Sequence, residues 1–435
     1  MIPDTSFFEG GSEADWRRTL DHVVETMREM SLQDDPQAMV RAYANRVRRF
    51  QKTDGFVALS RRGLEYPKYR VTRSSTWTQE IDPWQEKEKL PILEGGIMGE
   101  LIYGDVPRII DDVKLADDDP ARSYFGENRS VMAVPHFDKG VGLNMTLSFR
   151  KEPYAFDPQQ FPDWVWMSSL FGRATQNLVL SAELKKAYEV VERELKVVAD
   201  IQRSLLPQKL PEIPTLSLAA FYQTSQWAGG DYYDFFPLPD GKWGILIADV
   251  SGHGTPAAVL MAVTHSLAHG FPGPHDGPSA LLSKVNHQLS TLYTADNEAF
   301  VTAFYGIYDP KTRALSYSSA GHNPPRLRRC SQATVESLEH AQSLPLGLLA
   351  DEVYTDTTLT LRPGDRLAFY TDGITEAIST EGRMFGIDRL DAVLSRCCGG
   401  GSAQDLVDDI VNEVKAFTLG EPPADDQTLL GMIVS

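Results

Sequence analysis

The stretch WGILIADVSGHG, residues 243–254, decides the fold. Trp243 to Asp249 is a short apolar run that stops on a carboxylate, and it is followed by a glycine-flanked loop and a helix entered at Thr255-Pro256. A buried strand is predicted there, with Asp249 at its edge. A carboxylate so placed projects from a rigid apolar support into the cleft beyond the strand end. Three more aspartates repeat the arrangement. Asp231 lies in GGDYYD (229–234), after a strand predicted over Leu216–Tyr222. Asp372 ends the strand RLAFYTD, and Asp425 opens DDQT before the last strand. Taken singly, each has an ordinary explanation: Asp372-Gly373 is a turn signal, Gly229-Gly230 is backbone relief and Asp425-Asp426 is a solvated loop. Four carboxylates at strand edges are another matter. Converging in one cleft they repel one another unless divalent cations neutralise them, and an all-oxygen ligand set suits Mg²⁺ or Mn²⁺.

Around these residues the C-terminal half reads as strands over Leu216–Tyr222, Trp243–Asp249, Phe300–Tyr308, Ala314–Ser319, Asp365–Tyr370 and Leu429–Val434. Helices are predicted over Pro256–His269, Ser279–Leu292, Asp388–Cys397 and Ala403–Phe417, with Thr255 and Gly270 as cap and stop of the first. Long helices between groups of strands, without strict alternation, point to a layered α+β architecture. The N-terminal half opens with a helical pattern around Trp16, Leu20, Val23 and Met27. A second follows, capped by Asp35 with Pro36 at its first position and running to Phe50. Strands are predicted at Gly55–Ser60, Tyr69–Ser75, Ser130–Phe137 and Gly142–Arg150, with an irregular stretch between the two pairs. From about Gln160 to Leu206 the pattern is helical. Leu184, Tyr188, Val191, Leu195, Val198 and Leu205 fall near a heptad seam between charged flanks, and Pro207 ends the run. A coiled-coil linker, or a single amphipathic helix lying on one domain, fits that pattern. The expected division is an N-terminal helix over 1–33, a sensory domain over 34–175, a helical linker over 176–206 and a catalytic domain over 207–435.

Composition narrows the function classes. The chain has 435 residues, 42% hydrophobic and 23% charged, which suits folded cores rather than extended disorder. A formal net charge of −18 with dispersed Lys and Arg argues against nucleic-acid binding. Cys330, Cys397 and Cys398 have no zinc-site or disulfide spacing. The N-terminus lacks a basic start before an apolar run, and no stretch of about 18 apolar residues occurs, so no membrane span and a cytoplasmic location are expected.

The motifs GGDYYD (229–234), DVSGHG (249–254), SAGHNPP (319–325), YTDGITEA (370–377) and DDQTLL (425–430) resemble, in order and spacing, those of the PPM phosphatase family in its bacterial SpoIIE-like branch. IQRSLLP (201–207), FVTAFYGIYD (300–309), LPLGLL (344–349) and MFGIDRL (384–390) add to the likeness. The resemblance covers about Asp200 to the end. It implies an α/β/β/α sandwich with two Mn²⁺ or Mg²⁺ ions at one edge. Asp249 would bridge both ions, Asp231 and the backbone carbonyl of Val250 would complete one position, and Asp372 and Asp425 the other. It also implies hydrolysis of phosphoserine or phosphothreonine by water, without a covalent phosphoenzyme. The sequence departs from eukaryotic-type relatives in two ways. His253 lies four residues after Asp249 rather than two, which fits a loop hydrogen bond better than a proton donor, and no match to their phosphate-binding arginine is found. A turn role suits His322, and solvated positions are expected for Asp234, Asp426 and Glu376.

The N-terminal half resembles a GAF sensory domain in its order of elements, with no signature for a particular ligand. Its aromatics Trp77, Trp84 and Tyr103 are expected in the core. By resemblance, the substrate would be a phosphorylated anti-sigma-factor antagonist or similar STAS-type protein, with the linker making a homodimer. Two alternatives remain at this level: a catalytically inactive phosphoprotein-binding module of the same fold, and a hydrolase of a metabolite phosphoester.

Overall fold

The computed structural model describes residues 13–50, 52–271, 276–295, 299–329, 334–396 and 401–435. The three cysteines lie outside these. Two compact units divide the chain, Met1–Tyr188 and Glu189–Ser435.

The first unit opens with α1 (Glu13–Ser31) and α2 (Pro36–Phe50). Asp35 caps α2 as expected, its Oδ2 accepting from the Ala38 N–H at 2.7 Å. Next come β1 (Gly55–Ser60), β2 (Lys68–Ser74), β3 (Ile92–Glu94), α3 (Gly96–Gly104), β4 (Arg108–Ile110), α4 (Arg122–Phe125), β5 (Ser130–Asp138) and β6 (Val141–Arg150). The six strands form one sheet in the order β3-β2-β1-β6-β5-β4, antiparallel throughout. Alternation assigns its faces. Val57, Leu59, Tyr69, Val71, Leu147 and Phe149 bury themselves against Met98 and Ile102 of α3. Trp77 and Tyr103 pack against this core as expected. Trp84 does not: it is 37% exposed and lies under the Arg73 guanidinium, 5.0 Å from the ring centroid. The helix α5 (Phe161–Leu205) is continuous over 45 residues, and the division between the units falls within it. Among the described residues no helix is long and apolar enough to cross a membrane.

The second unit contains β7 (Leu216–Gln223), β8 (Tyr232–Pro237), β9 (Trp243–Val250), α6 (Thr255–His269), α7 (Pro278–Leu292), β10 (Val301–Asp309) and β11 (Ala314–Ala320). The short strands β12 (Arg326–Arg328), β13 (Val335–Ser337), β14 (Gln342–Ser343) and β15 (Thr357–Thr360) follow. Then come β16 (Arg366–Tyr370), α8 (Asp372–Thr375), α9 (Ile387–Arg396), α10 (Ala403–Phe417) and β17 (Gln427–Val434). One sheet runs β14-β11-β10-β9-β8 with β15 also on β11; the other runs β13-β12-β16-β17-β7. Helices α6 and α7 cover the first sheet and α9 and α10 the second, giving four layers, α/β/β/α.

Strand alternation explains why the layers form. Leu367 and Phe369 face the other sheet, while their neighbours Ala368 and Tyr370 face α9 and α10. Phe304 and Phe369 meet edge to face at 5.5 Å, and burial of each ring contributes about 2–3 kcal/mol. At the end remote from the aspartates two side-chain contacts join the sheets. The hydroxyl of Tyr308 bonds that of Thr215 at 2.8 Å, and the Arg313 Nε–H donates to the Ser435 carbonyl at 3.1 Å. Several boundaries shift by a residue, and at α6 the cap itself differs from expectation: Gly254, with φ +76°, is the N-cap and Thr255 the first helical residue. The left-handed turn that ends DVSGHG makes the stop, so no hydroxyl cap is used.

Candidate active site

Asp231 comes after β7, as expected, and directly precedes β8; it is 1% exposed. Its Oδ2 accepts from the hydroxyls of Thr371, just after β16, at 2.7 Å and of Thr428, on β17, at 2.5 Å. Its Oδ1 is buried without a hydrogen-bond partner. Asp249 lies at the end of β9. Asp372 opens α8 instead of ending a strand, because Thr371 adopts extended geometry and acts as the N-cap position after β16. Asp425 is exposed, just before β17, and its Oδ1 accepts from the Asp426 N–H at 2.8 Å. Asp231, Asp372 and Asp425, from elements of both sheets, thus lie within electrostatic reach of Asp249.

Their electrostatics show how closely they crowd. Burial pushes Asp249 up to about 10, and the charges of Asp231, Asp372, Asp425 and Asp426 push the same way. Asp231 is pushed up to about 8, burial outweighing the two threonine hydrogen bonds that favour its ionised form. Asp372 rises to about 6, again through burial first and then through Asp425 and Glu376. Acceptors without a compensating cation in a desolvated cleft hold protons they would lose in water. The orphaned Asp231 Oδ1, the mutual repulsion and the donor set of oxygens alone fit hard divalent cations.

The loop carrying Asp231 is held tightly. Asp426 is buried, not solvated: its carboxylate accepts from the Ser225 N–H at 2.8 Å, the Ser225 hydroxyl at 3.2 Å and the Gly230 N–H at 2.7 Å. A Cβ at Gly230 would stand 2.7 Å from the Val250 carbonyl oxygen and 3.3 Å from Asp249 Oδ1. Gln202, in the last turn of α5, grips both backbone groups of Gly229. Its Oε1 accepts from the Gly229 N–H at 3.0 Å and its Nε2 donates to the Gly229 carbonyl. Gln202→Ala would leave both groups buried and unpaired, a local cost of about 1–3 kcal/mol for each group. The Mn²⁺ concentration giving half-maximal activity is expected to rise about tenfold, read from activity against metal concentration. An unchanged metal requirement would show that Gln202 is ordinary packing.

His322 is buried and its Nδ1 meets the Thr302 hydroxyl at 2.8 Å; burial pushes its pKa down to about 3, so it is neutral and structural. His253 is exposed and shares a 3.1 Å hydrogen bond with Gln226, the loop contact expected for it. Glu376 is exposed as expected. Asp234 corrects its expectation. By alternation it points to the face of β8 opposite Asp231, where its Oδ2 accepts from Tyr232 at 2.7 Å and from His269 at 2.7 Å. With His265, this trio has ligand atoms within 4.8 Å of one another. Sequence reading missed this group, and gave Thr371, Thr428 and Gln202 no role, because nothing in the sequence shows where a hydroxyl or amide points across two sheets.

The four-layer α/β/β/α fold is that of PP2C (PPM) phosphatase domains, and two curated relatives are named as phosphoserine phosphatases. Within the C-terminal unit, residues 239–434 match the family described as Stage II sporulation protein E (SpoIIE). Among curated relatives, the phosphoserine phosphatase RsbU of Bacillus subtilis (strain 168) is 29% identical over 231 residues, 53% of this chain and 67% of the relative. The phosphoserine phosphatase RsbP of the same organism is 29% identical over 184 residues, 42% of this chain and 45% of the relative. Among solved structures, the SiaA-PP2C domain of Pseudomonas aeruginosa superposes with a TM-score of 0.51 at 20% identity. That match covers 57% of this chain and 99% of the domain, and it bears on the fold.

Proposed function

We propose that the chain is a regulated protein phosphatase that removes phosphate from a serine or threonine of a STAS-type signalling protein, of the anti-sigma-factor-antagonist kind. The observation that carries the catalytic part is the buried Asp231 Oδ1, left without a partner beside three other carboxylates. Two Mn²⁺ or Mg²⁺ ions would be held by Asp249, with Asp231 and the Val250 carbonyl on one side of it and Asp372 and Asp425 on the other. When bound, the pair supplies the positive charge that phosphate-ester hydrolysis requires. The chain's own contribution is orientation. Thr371 and Thr428 turn Asp231 so that Oδ1 faces the site, and Asp426 fixes the Gly229-Gly230 loop behind it. A phosphoserine substrate is supported by the names of RsbU and RsbP as phosphoserine phosphatases, and a STAS-type protein by the motif resemblance.

The N-terminal unit is proposed to be a GAF-like sensor, on the strength of its antiparallel sheet flanked by helices. Dimerisation is proposed through α5, where Leu184, Tyr188 and Val191 stand exposed at heptad spacing. Light scattering of the full chain is expected to give a dimer, and Leu184→Glu with Val191→Glu a monomer with unchanged far-ultraviolet circular dichroism. Equal masses for the two proteins would remove this helix as the seam.

The deciding assay incubates the full chain with a phosphoserine-bearing STAS-domain protein and with para-nitrophenyl phosphate, under Mn²⁺, Mg²⁺ or chelator. Metal-dependent release of phosphate from the protein substrate is expected. Turnover of the small ester alone would keep the phosphatase and discard the substrate class, and metal binding without turnover of either would favour an inactive binding module.

A further inference from the structure

We propose that the N-terminal unit carries a binding site for a small amphipathic organic anion, in a cavity of about 580 Å³ between its sheet and the helices α2 and α5. The site lies on the face of the sheet turned away from the core. On β2, Tyr69 and Val71 point to the core while Arg70 and Thr72 point to the cavity; on β6, Met145, Leu147 and Phe149 alternate in the same way with Thr146 and Ser148. The sheet wall is therefore rich in hydroxyls and carries a guanidinium. The helix wall is apolar, formed by residues such as Val40, Tyr43 and Phe171.

Arg70 is the group that calls for a ligand. Its Nε is buried with no partner, and among the described residues no carboxylate or hydrogen-bond acceptor meets its guanidinium. Its neighbours are anchored elsewhere: Arg62 pairs with Asp138 at 2.8 Å, and Arg73, whose Nε is also buried without a partner, donates to Gln37 and sits over Trp84. Burying part of an arginine without an anion is costly, and its planar fork matches a carboxylate or phosphate head. The wider charge balance agrees. Five cationic side chains, Arg62, Arg70, Arg73, Lys87 and Arg173, line a cavity that has two carboxylates, in a chain whose formal net charge is −18. The volume lies within the usual range for small-molecule sites, and the apolar wall is wasted on an inorganic ion. An anionic head on Arg70 with an apolar body against α2 and α5 satisfies both walls.

The site is independent of the phosphatase reading, since the test reads binding to the full chain and no turnover. The probes are 8-anilino-1-naphthalenesulfonate and its uncharged counterpart N-phenyl-1-naphthylamine, followed by fluorescence. Decanoate, decyl phosphate and decanol serve as competitors, the first two distinguishing a carboxylate from a phosphate head. Saturable one-site binding of the sulfonate is expected, displaced by one or both anions and not by decanol at equal concentration. Arg70→Gln should weaken the anionic probe about tenfold or more and leave the neutral one unchanged. Ala58→Phe, which fills the cavity, should abolish binding of both probes while the thermal melt stays cooperative. Should Arg70→Gln fail to fold, Arg70→Lys, which keeps the charge and loses the fork, replaces it with the same expected direction. The proposal is overturned if the wild-type chain shows no saturable binding, if both probes weaken equally in the Arg70 variant, or if binding survives Ala58→Phe.

Discussion

Asp249→Asn is expected to abolish metal-dependent phosphatase turnover, by about a thousandfold or more, and yet to stabilise the metal-free protein at neutral and alkaline pH. The loss follows from Asp249 being the carboxylate assigned to both ions. The gain follows from linkage. In the folded, metal-free chain Asp249 is pushed from 3.8 up to about 10, so the folded state keeps a proton that the unfolded state releases. The stability so contributed is complete below the ordinary carboxylate range and is lost as pH rises through the folded value. Asparagine carries no charge to desolvate and removes that slope. Thermal melts in chelator from pH 5 to pH 9 should show wild type losing stability with rising pH and the variant losing less. Excess Mn²⁺ should restore wild type alone. Parallel melts across the range would mean that the carboxylates do not crowd as described.

Gly230→Ala should lower kcat/KM by about a hundredfold while changing the melting temperature little. The added methyl would stand 2.7 Å from the Val250 carbonyl oxygen, a backbone atom that cannot swing aside as a flexible side chain would. The carbonyl assigned as a ligand must then move, or the Gly229-Gly230 loop must leave Asp426. Either change displaces an oxygen from the site without opening the core. Turnover measured against Mn²⁺ concentration, beside a melt in chelator, separates this from unfolding. Wild-type turnover at low metal would show that the loop gives way freely.

Much of the second unit was legible because its strands are long and sit on two apolar faces. Trp243–Asp249 and Ala403–Phe417 announce themselves by period and by flanking residues, and the structure places them at Trp243–Val250 and Ala403–Phe417. Three-residue strands such as Ile92–Glu94 and Arg108–Ile110 are too short to alternate, and the helix Gly96–Gly104 has no side-chain cap. That stretch therefore read as irregular. The four aspartates were visible because each interrupts an apolar strand edge. The burial of Asp426 and Asp234 was not, since a carboxylate looks solvated until a serine, a glycine amide or a histidine from distant sequence is folded against it. Gln202 was likewise hidden, its role depending on a loop 27 residues away.

The two clasps between the sheets respond to different things. The one built from Tyr308, Thr215, Arg313 and Ser435 joins two hydroxyls and sets an arginine on an oxygen acceptor, with no crowd of like charges beside it. The one built from Thr371, Thr428 and Asp231 closes beside a carboxylate cluster that repels itself. In a metal-depleted chain the sandwich should therefore breathe from one end only. Amide hydrogen exchange would speed up at Gly230 and Thr428 and stay slow at Val434, so that the supply of divalent cation sets which end of the domain is open to solvent.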